Sequence, residues 1–197
     1  ERGIKVMSLD VDRVDGLAAQ VRRKGTRSTR VIMIKRHTWS ERKRFSLAHE
    51  LGHIVLNVAE GCDSERAANR FAGAFLIPAE VLRQEMGARR TDISIGELIS
   101  LKDRFGVSIQ AIAYRCKDLE IITQATFARL FEIFTDRGWR NEPFEEPHSI
   151  KWDVEEPDRF QRLCFRALSE GLIGLSRTAE LLEIRVRELE ERLDFVT

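Results

Sequence analysis

The stretch Arg44-Phe45-Ser46-Leu47-Ala48-His49-Glu50-Leu51-Gly52-His53 constrains this chain more than any other. Read as a helix, it places His49 and His53 four residues apart, so both imidazoles leave one face, one turn above the other. Two nitrogens so placed can bind one tetrahedral ion, and Glu50, next to the first of them, can reach a water at the ion's open position. Apolar neighbours (Phe45, Leu47, Ala48, Leu51, Ile54, Val55, Leu56) fit a buried helix. A five-letter pattern also arises by chance on core helices, and a metal site needs a third ligand.

The next helical stretch, Ser64-Glu65-Arg66-Ala67-Ala68-Asn69-Arg70-Phe71-Ala72-Gly73-Ala74-Phe75-Leu76-Ile77-Pro78, supplies one. Ser64 is a candidate cap, and the small residues on its apolar face permit close approach to the histidine helix. Glu65, at the entrance, is read as the third ligand, with Asp63 and Glu60 as neighbouring acids able to substitute. Asn69, one turn on, is placed to hydrogen-bond a ligand histidine and fix its ring. An ordinary first-turn carboxylate favoured by the helix dipole is the competing reading of Glu65.

These two stretches resemble the ImmA/IrrE family of zinc metallopeptidases, whose pattern is RF-x-LAHELGH followed by E-x-x-A-N-x-F-A and an apolar run ending in Pro. The segments "DGLAAQV", "RVIMIK", "LKDRFGVSIQAIAYRCKDLEII" and "RLFEIFTDRGWRNEP" extend the likeness over about residues 3 to 145. The resemblance implies His49, His53 and Glu65 as metal ligands and Glu50 as general base. It also implies zinc, with manganese or iron as other ions such a site accepts, and as substrate a DNA-binding repressor or antitoxin-type protein. Many members carry an N-terminal helix-turn-helix domain. None precedes Ile4 here, as in a fragment of a longer protein. The alternatives are a non-catalytic, metal-containing transcriptional regulator and a protein-interaction module.

The fold class expected is α+β: a small antiparallel sheet on a zincin-like helical pair, then a helix-turn-helix-like region and a C-terminal helical module. Strands are read at Ile4 to Leu9, Leu17 to Val21 and Val31 to Ile34, with turns at Asp15-Gly16 and Gly25-Thr26-Arg27-Ser28. A strand edge beside the metal would hold extended substrate. Helices are expected at about 79–86, 93–105, 108–119 and 124–136, then 159–169, 176–182 and 186–193. The domain division is 1–90 metallopeptidase, 91–140 helical extension, 141–158 linker and 159–197 C-terminal module. Three of the four prolines, and seven acids against one base, fall in 141–158, a net −6.

A net charge of +1 hides this asymmetry: residues 1–44 hold thirteen Lys/Arg against five Asp/Glu, or +8. Without interleaved aromatics the basic half reads as a solvated face rather than a nucleic-acid patch. In the helix-turn-helix-like pair 93–105 and 108–119, the second helix offers only Gln110 before Ala111, Ile112 and Ala113, too apolar to read a major groove. In "LSRTAELLEIRVRELEERL", Ala179 would pack under a turn, but Glu183 stands where a tight turn favours Gly. Glu188, Glu190 and Glu191 would repel phosphate, so this module is read as partner-binding or packing.

Tyr114 inside a helix is read as structural rather than as an oxyanion donor, and His148 as a solvent-exposed linker residue. Three scattered cysteines (Cys62, Cys116, Cys164) argue against a disulfide framework and for a reducing cytoplasm. Cys62 is read as a free thiol. No run is long enough for a membrane span, and Glu1-Arg2-Gly3 does not read as a signal peptide.

Overall fold

A computed structural model describes residues 3–10, 14–22, 28–151 and 157–194. Three strands open the chain, β1 (Lys5–Leu9), β2 (Gly16–Val21) and β3 (Thr29–Lys35). Nine helices follow among the described residues. They are α1 (Ser40–Val55), α2 (Ser64–Leu76), α3 (Ala79–Met86), α4 (Ile95–Phe105), α5 (Ile109–Asp118), α6 (Gln124–Asp136), α7 (Arg159–Ser169), α8 (Leu175–Leu181) and α9 (Val186–Asp194). The α+β class is as expected. No helix among the described residues is long and apolar enough to cross a membrane.

The sheet corrects one expectation. Its order is β1-β3-β2; β2 pairs with β3 antiparallel, but β1 pairs with β3 in parallel. A parallel neighbour cannot be joined by a tight hairpin, so β2 leaves β1 and returns on the far side of β3. That makes β3 the central strand, and its alternate residues Ile32 and Ile34 are buried. Most of the turn expected at 25–28 lies outside the described residues, of which only Ser28 is seen.

Local chemistry explains the helix starts. Asp63, not Ser64, caps α2: its Oδ1 accepts from Arg66 N at 3.1 Å, while Ser64 is the first helical residue. Ser94 caps α4 through Glu97 N, which moves the start expected at Ile93 to Ile95, and Ser108 caps α5 through Ala111 N as read. Gly106 closes α4 in the left-handed conformation at φ 63°, where a side chain would collide with the Arg44 guanidinium. Helices α3 to α6 share one apolar core that runs from Ile77 through Leu98 and Ile112 to Phe134. Residues on both sides of position 90 contribute to it, Leu82 and Met86 before and Ile93 and Leu98 after.

The stretch from 141 onward does more than link. Trp39, before α1, makes no side-chain cap; instead Ser40 N donates to Ile150 O at 3.0 Å and Ser40 Oγ donates to Lys151 O at 2.9 Å. Residues 143–151 thus close the helix that carries both histidines. They are part of the first compact unit, residues 1–156.

A second unit covers residues 157–197. Among its described residues, Cys164, Thr178, Ala179 and Leu189 are buried. Ala179 does sit under the α8–α9 turn, its carbonyl accepting from Ile184 N, and Glu183 adopts the left-handed φ of 57° that glycine would favour.

Candidate metal centre

Helices α1 and α2 pack closely because Gly52 faces Ala68 and Phe71. A Cβ at residue 52 would stand 3.2 Å from Ala68 Cα and 3.1 Å from Phe71 Cδ1. That approach brings three side chains together. His49 Nε2 and His53 Nε2 are 3.0 Å apart, Glu65 Oε2 is 3.2 Å from His49 Nε2, and Glu65 Oε1 is 3.2 Å from His53 Nε2. Among the described residues, this is the group of three His, Cys, Asp or Glu side chains whose ligating atoms converge. Asp63 is spent as a cap, and exposed Cys62 stays outside the group.

The donor set fits a divalent ion. With bonds of about 2.0–2.1 Å, a tetrahedral ion holds its ligand atoms about 3.3 Å apart, close to the triangle seen here. Asn69 Oδ1 lies 2.9 Å from His49 Nδ1 and, as an amide oxygen, accepts the Nδ1 proton. Neutral His49 then presents a lone pair at Nε2, facing the Nε2 of His53 and a carboxylate. A cation between them would offset the repulsion of such a set of acceptors. His49 is mostly buried (16% exposed) and His53 partly so (26%), whereas Glu65, at 68%, borders solvent.

Glu50 is buried at 7% exposure, on the side of α1 turned toward the sheet. Its neighbour is Gly16: a Cβ there would stand 2.9 Å from Glu50 Cγ and 3.0 Å from Glu50 Oε1. Only glycine leaves that carboxylate its place. In the sequence Gly16 reads only as a turn residue; this role emerges with the fold, because its partner is 34 positions away.

An open cleft of about 1320 Å³ runs over the centre, lined on one side by Asp15, Gly16, Leu17 and Ala18 and on the other by α2 and α5. The β2 strand is a sheet edge on this cleft. Lys35 N donates to Asp15 O, so residues 15, 17 and 19 turn their backbone groups to β3, and Gly16 and Ala18 turn theirs outward. Those outward N–H and C=O groups can pair with an extended peptide.

Further wall residues come from the 143–151 stretch. Phe144 lies under the Arg42 guanidinium at 4.1 Å, and Arg42 forks onto Asp15, with Nε at 3.1 Å and Nη2 at 2.5 Å from the carboxylate. Behind them Lys102 Nζ meets Glu41 Oε1 at 2.9 Å and Glu146 Oε2 at 3.2 Å, all three side chains buried. Glu146 Oε2 also accepts from Ile109 N at 2.8 Å, at the start of α5. The basic run Arg42-Lys43-Arg44 is therefore turned inward: Arg44 Nη1 donates to Gly106 O, and Lys43 is 2% exposed.

Tyr114 does line the cleft, half exposed, with its ring packed on Phe127 and Phe131 at 4.9 and 5.0 Å. His148 is exposed and pairs with Asp103, away from the centre. Burial pushes the Cys116 thiol up to about 12, and its Sγ lies 3.4 Å from Met86 Sδ, so it is an inert core residue.

The family model for M78 peptidases, described as an IrrE N-terminal-like domain, matches residues 1–117. A search of the curated proteins finds no match.

Proposed function

The chain belongs to the M78 peptidase family through its IrrE N-terminal-like domain, and we propose that it is a zinc-dependent endopeptidase cutting a regulatory protein. His49, His53 and Glu65 are the ligands, Glu50 is the general base, and Asn69 orients His49. The observation that carries the reading is the triangle of two Nε2 atoms and one carboxylate with Glu50 beside it under Gly16. Manganese or iron are the other ions the donor set accepts.

Bound there, a divalent ion would supply Lewis acidity, lowering the pKa of water to about 7 and polarising a carbonyl. The protein's own residues do the rest. Asn69 holds the His49 ring in the tautomer whose Nε2 is free to ligate. A Glu50 carboxylate oxygen takes one proton from water as the water oxygen bonds to the scissile carbon. The same oxygen then delivers that proton to the amine nitrogen as the C–N bond breaks. Gly16 and Ala18 align the extended substrate by their outward backbone groups.

An edge of this kind suits a flexible segment of a folded protein, and the family resemblance favours a repressor or antitoxin-type protein as that substrate. All the proposed ligands fall in 1–90, which we take as the metallopeptidase domain, with 91–140 as its helical extension, 141–158 as a connecting stretch whose part 143–151 also braces α1 and α5, and 159–197 as a partner-binding module. The unpaired cysteines suit a reducing cytoplasm.

The test is incubation with the product of the neighbouring gene and zinc, read by mass spectrometry. Glu50→Gln keeps the metal and abolishes cleavage; His49→Ala and Glu65→Ala release the metal, read by elemental analysis. Cleavage at full rate by Glu50→Gln rejects the assignment.

A further inference from the structure

The α2–α5 side of the cleft carries charge that the centre does not use. Arg66 and Arg70 of α2 and Arg115 and Lys117 of α5 line it, against Asp63 and Asp118. Four cations against two acids leave a net +2 once Glu65 is set aside as a ligand. Asp63 is already engaged as the α2 cap.

These cations are poorly neutralised. Among the described residues no acceptor holds the Arg66 guanidinium. Arg70 Nε reaches Asp118 only loosely, at 3.9 Å. Arg115 Nε donates to Ile77 O at 3.0 Å, which fixes its guanidinium plane and leaves the two Nη groups for an incoming acceptor. Partial burial lowers the Arg115 pKa, with Arg70 and Arg83 adding to the lowering and Asp118 opposing it. Lys117 lies over the Phe127 ring at 4.4 Å, which keeps its ammonium on this wall.

We infer that this wall is a subsite for an acidic side chain of the peptide substrate, two to three residues from the bond that is cut. The inference rests on the endopeptidase reading above and specifies its substrate. The spacing follows from the helix: Arg70 stands five residues beyond Glu65, about 7.5 Å of rise. An extended peptide covers about 3.3 Å per residue. A carboxylate there meets a forked guanidinium in the geometry that favours two parallel hydrogen bonds. A nucleic-acid strand fits worse, because its successive phosphates would also meet Asp63 and Glu65.

The experiment uses the full chain carrying Glu50→Gln, loaded with zinc, and two fluorescein-labelled decapeptides of Ala, Gly and Ser with three central Glu or three central Gln. Fluorescence anisotropy is expected to show the Glu peptide binding about tenfold tighter at low salt. Arg66→Glu/Arg70→Glu, both at exposed positions, removes that preference and leaves the Gln peptide's affinity as it was. Equal affinities, or a preference that survives the charge reversal, overturn the subsite. In parallel, the wild-type chain is given a randomised decapeptide library, and acidic residues are expected to be enriched two or three positions from the cuts. Cutting without that enrichment also overturns the subsite and leaves the hydrolase intact. Acid-selective binding without any cutting rejects the hydrolase and leaves the subsite standing.

Discussion

Glu50 and Gly16 form a matched pair, and their contact turns a recognisable motif into a poised carboxylate. The motif itself was readable because helical spacing alone sets where His49, Glu50 and His53 point, and Glu65 and Asn69 follow from the same rule on α2. Gly16 was not readable, since its constraint comes from a side chain brought near only by the fold. Gly16→Ala forces the Glu50 carboxylate aside, its new Cβ standing 2.9 Å from Cγ. A shift of the base by about 1 Å costs about 10²-fold in kcat. Zinc content should stay at the wild-type level, because no ligand moves; loss of metal together with activity would show that Gly16 supports the whole centre instead. Asn69→Ala acts on the other side of the metal. Without an acceptor for the Nδ1 proton, His49 loses its fixed tautomer, and competition with a zinc chelator should show about 10- to 100-fold weaker retention.

Between elements, the decisive contact is a buried charge group. Lys102 of α4 bridges Glu41 of α1 and Glu146 of the 143–151 stretch, and so ties the histidine helix, the α4–α5 pair and the later stretch together. Composition argued for a linker there, because prolines and acids are what linkers contain; that Glu146 would be 4% exposed and cap α5 depends on a lysine 44 positions earlier. The parallel β1–β3 pairing escaped for a similar reason: strand patterns tell which residues are buried, not which strand lies between the other two. Lys102→Met leaves two carboxylates buried and facing each other. It should destabilise the protein by about 3–5 kcal/mol in urea unfolding, whereas exchange of an exposed lysine such as Lys151 has little effect. Equal stability of the two variants would mean that Lys102 is not the tie between these elements.

For the molecule as a whole, the family match ends at residue 117, but the structure that supports the centre does not. Gly16, His49, Glu50, His53, Glu65 and the 143–151 stretch all belong to the unit of residues 1–156, which has its own core. Removing 157–197 therefore leaves every contact described for the centre in place. A chain ending at 156 should keep its metal and unfold at the same midpoint in the first unit's transition. A chain ending at 140 is different, although it keeps all of residues 1–117. Ser40 N and Ile109 N lose their acceptors, Lys102 keeps only Glu41, and Arg42 loses the Phe144 ring. Each buried amide left unsatisfied costs about 1–3 kcal/mol, and the broken charge group adds to that. The shorter chain should melt many degrees lower and lose zinc on mild heating, read by differential scanning calorimetry and metal analysis of the same samples. If both truncations melt together, the stretch after the matched region is mere covering, and the histidine helix stands without it.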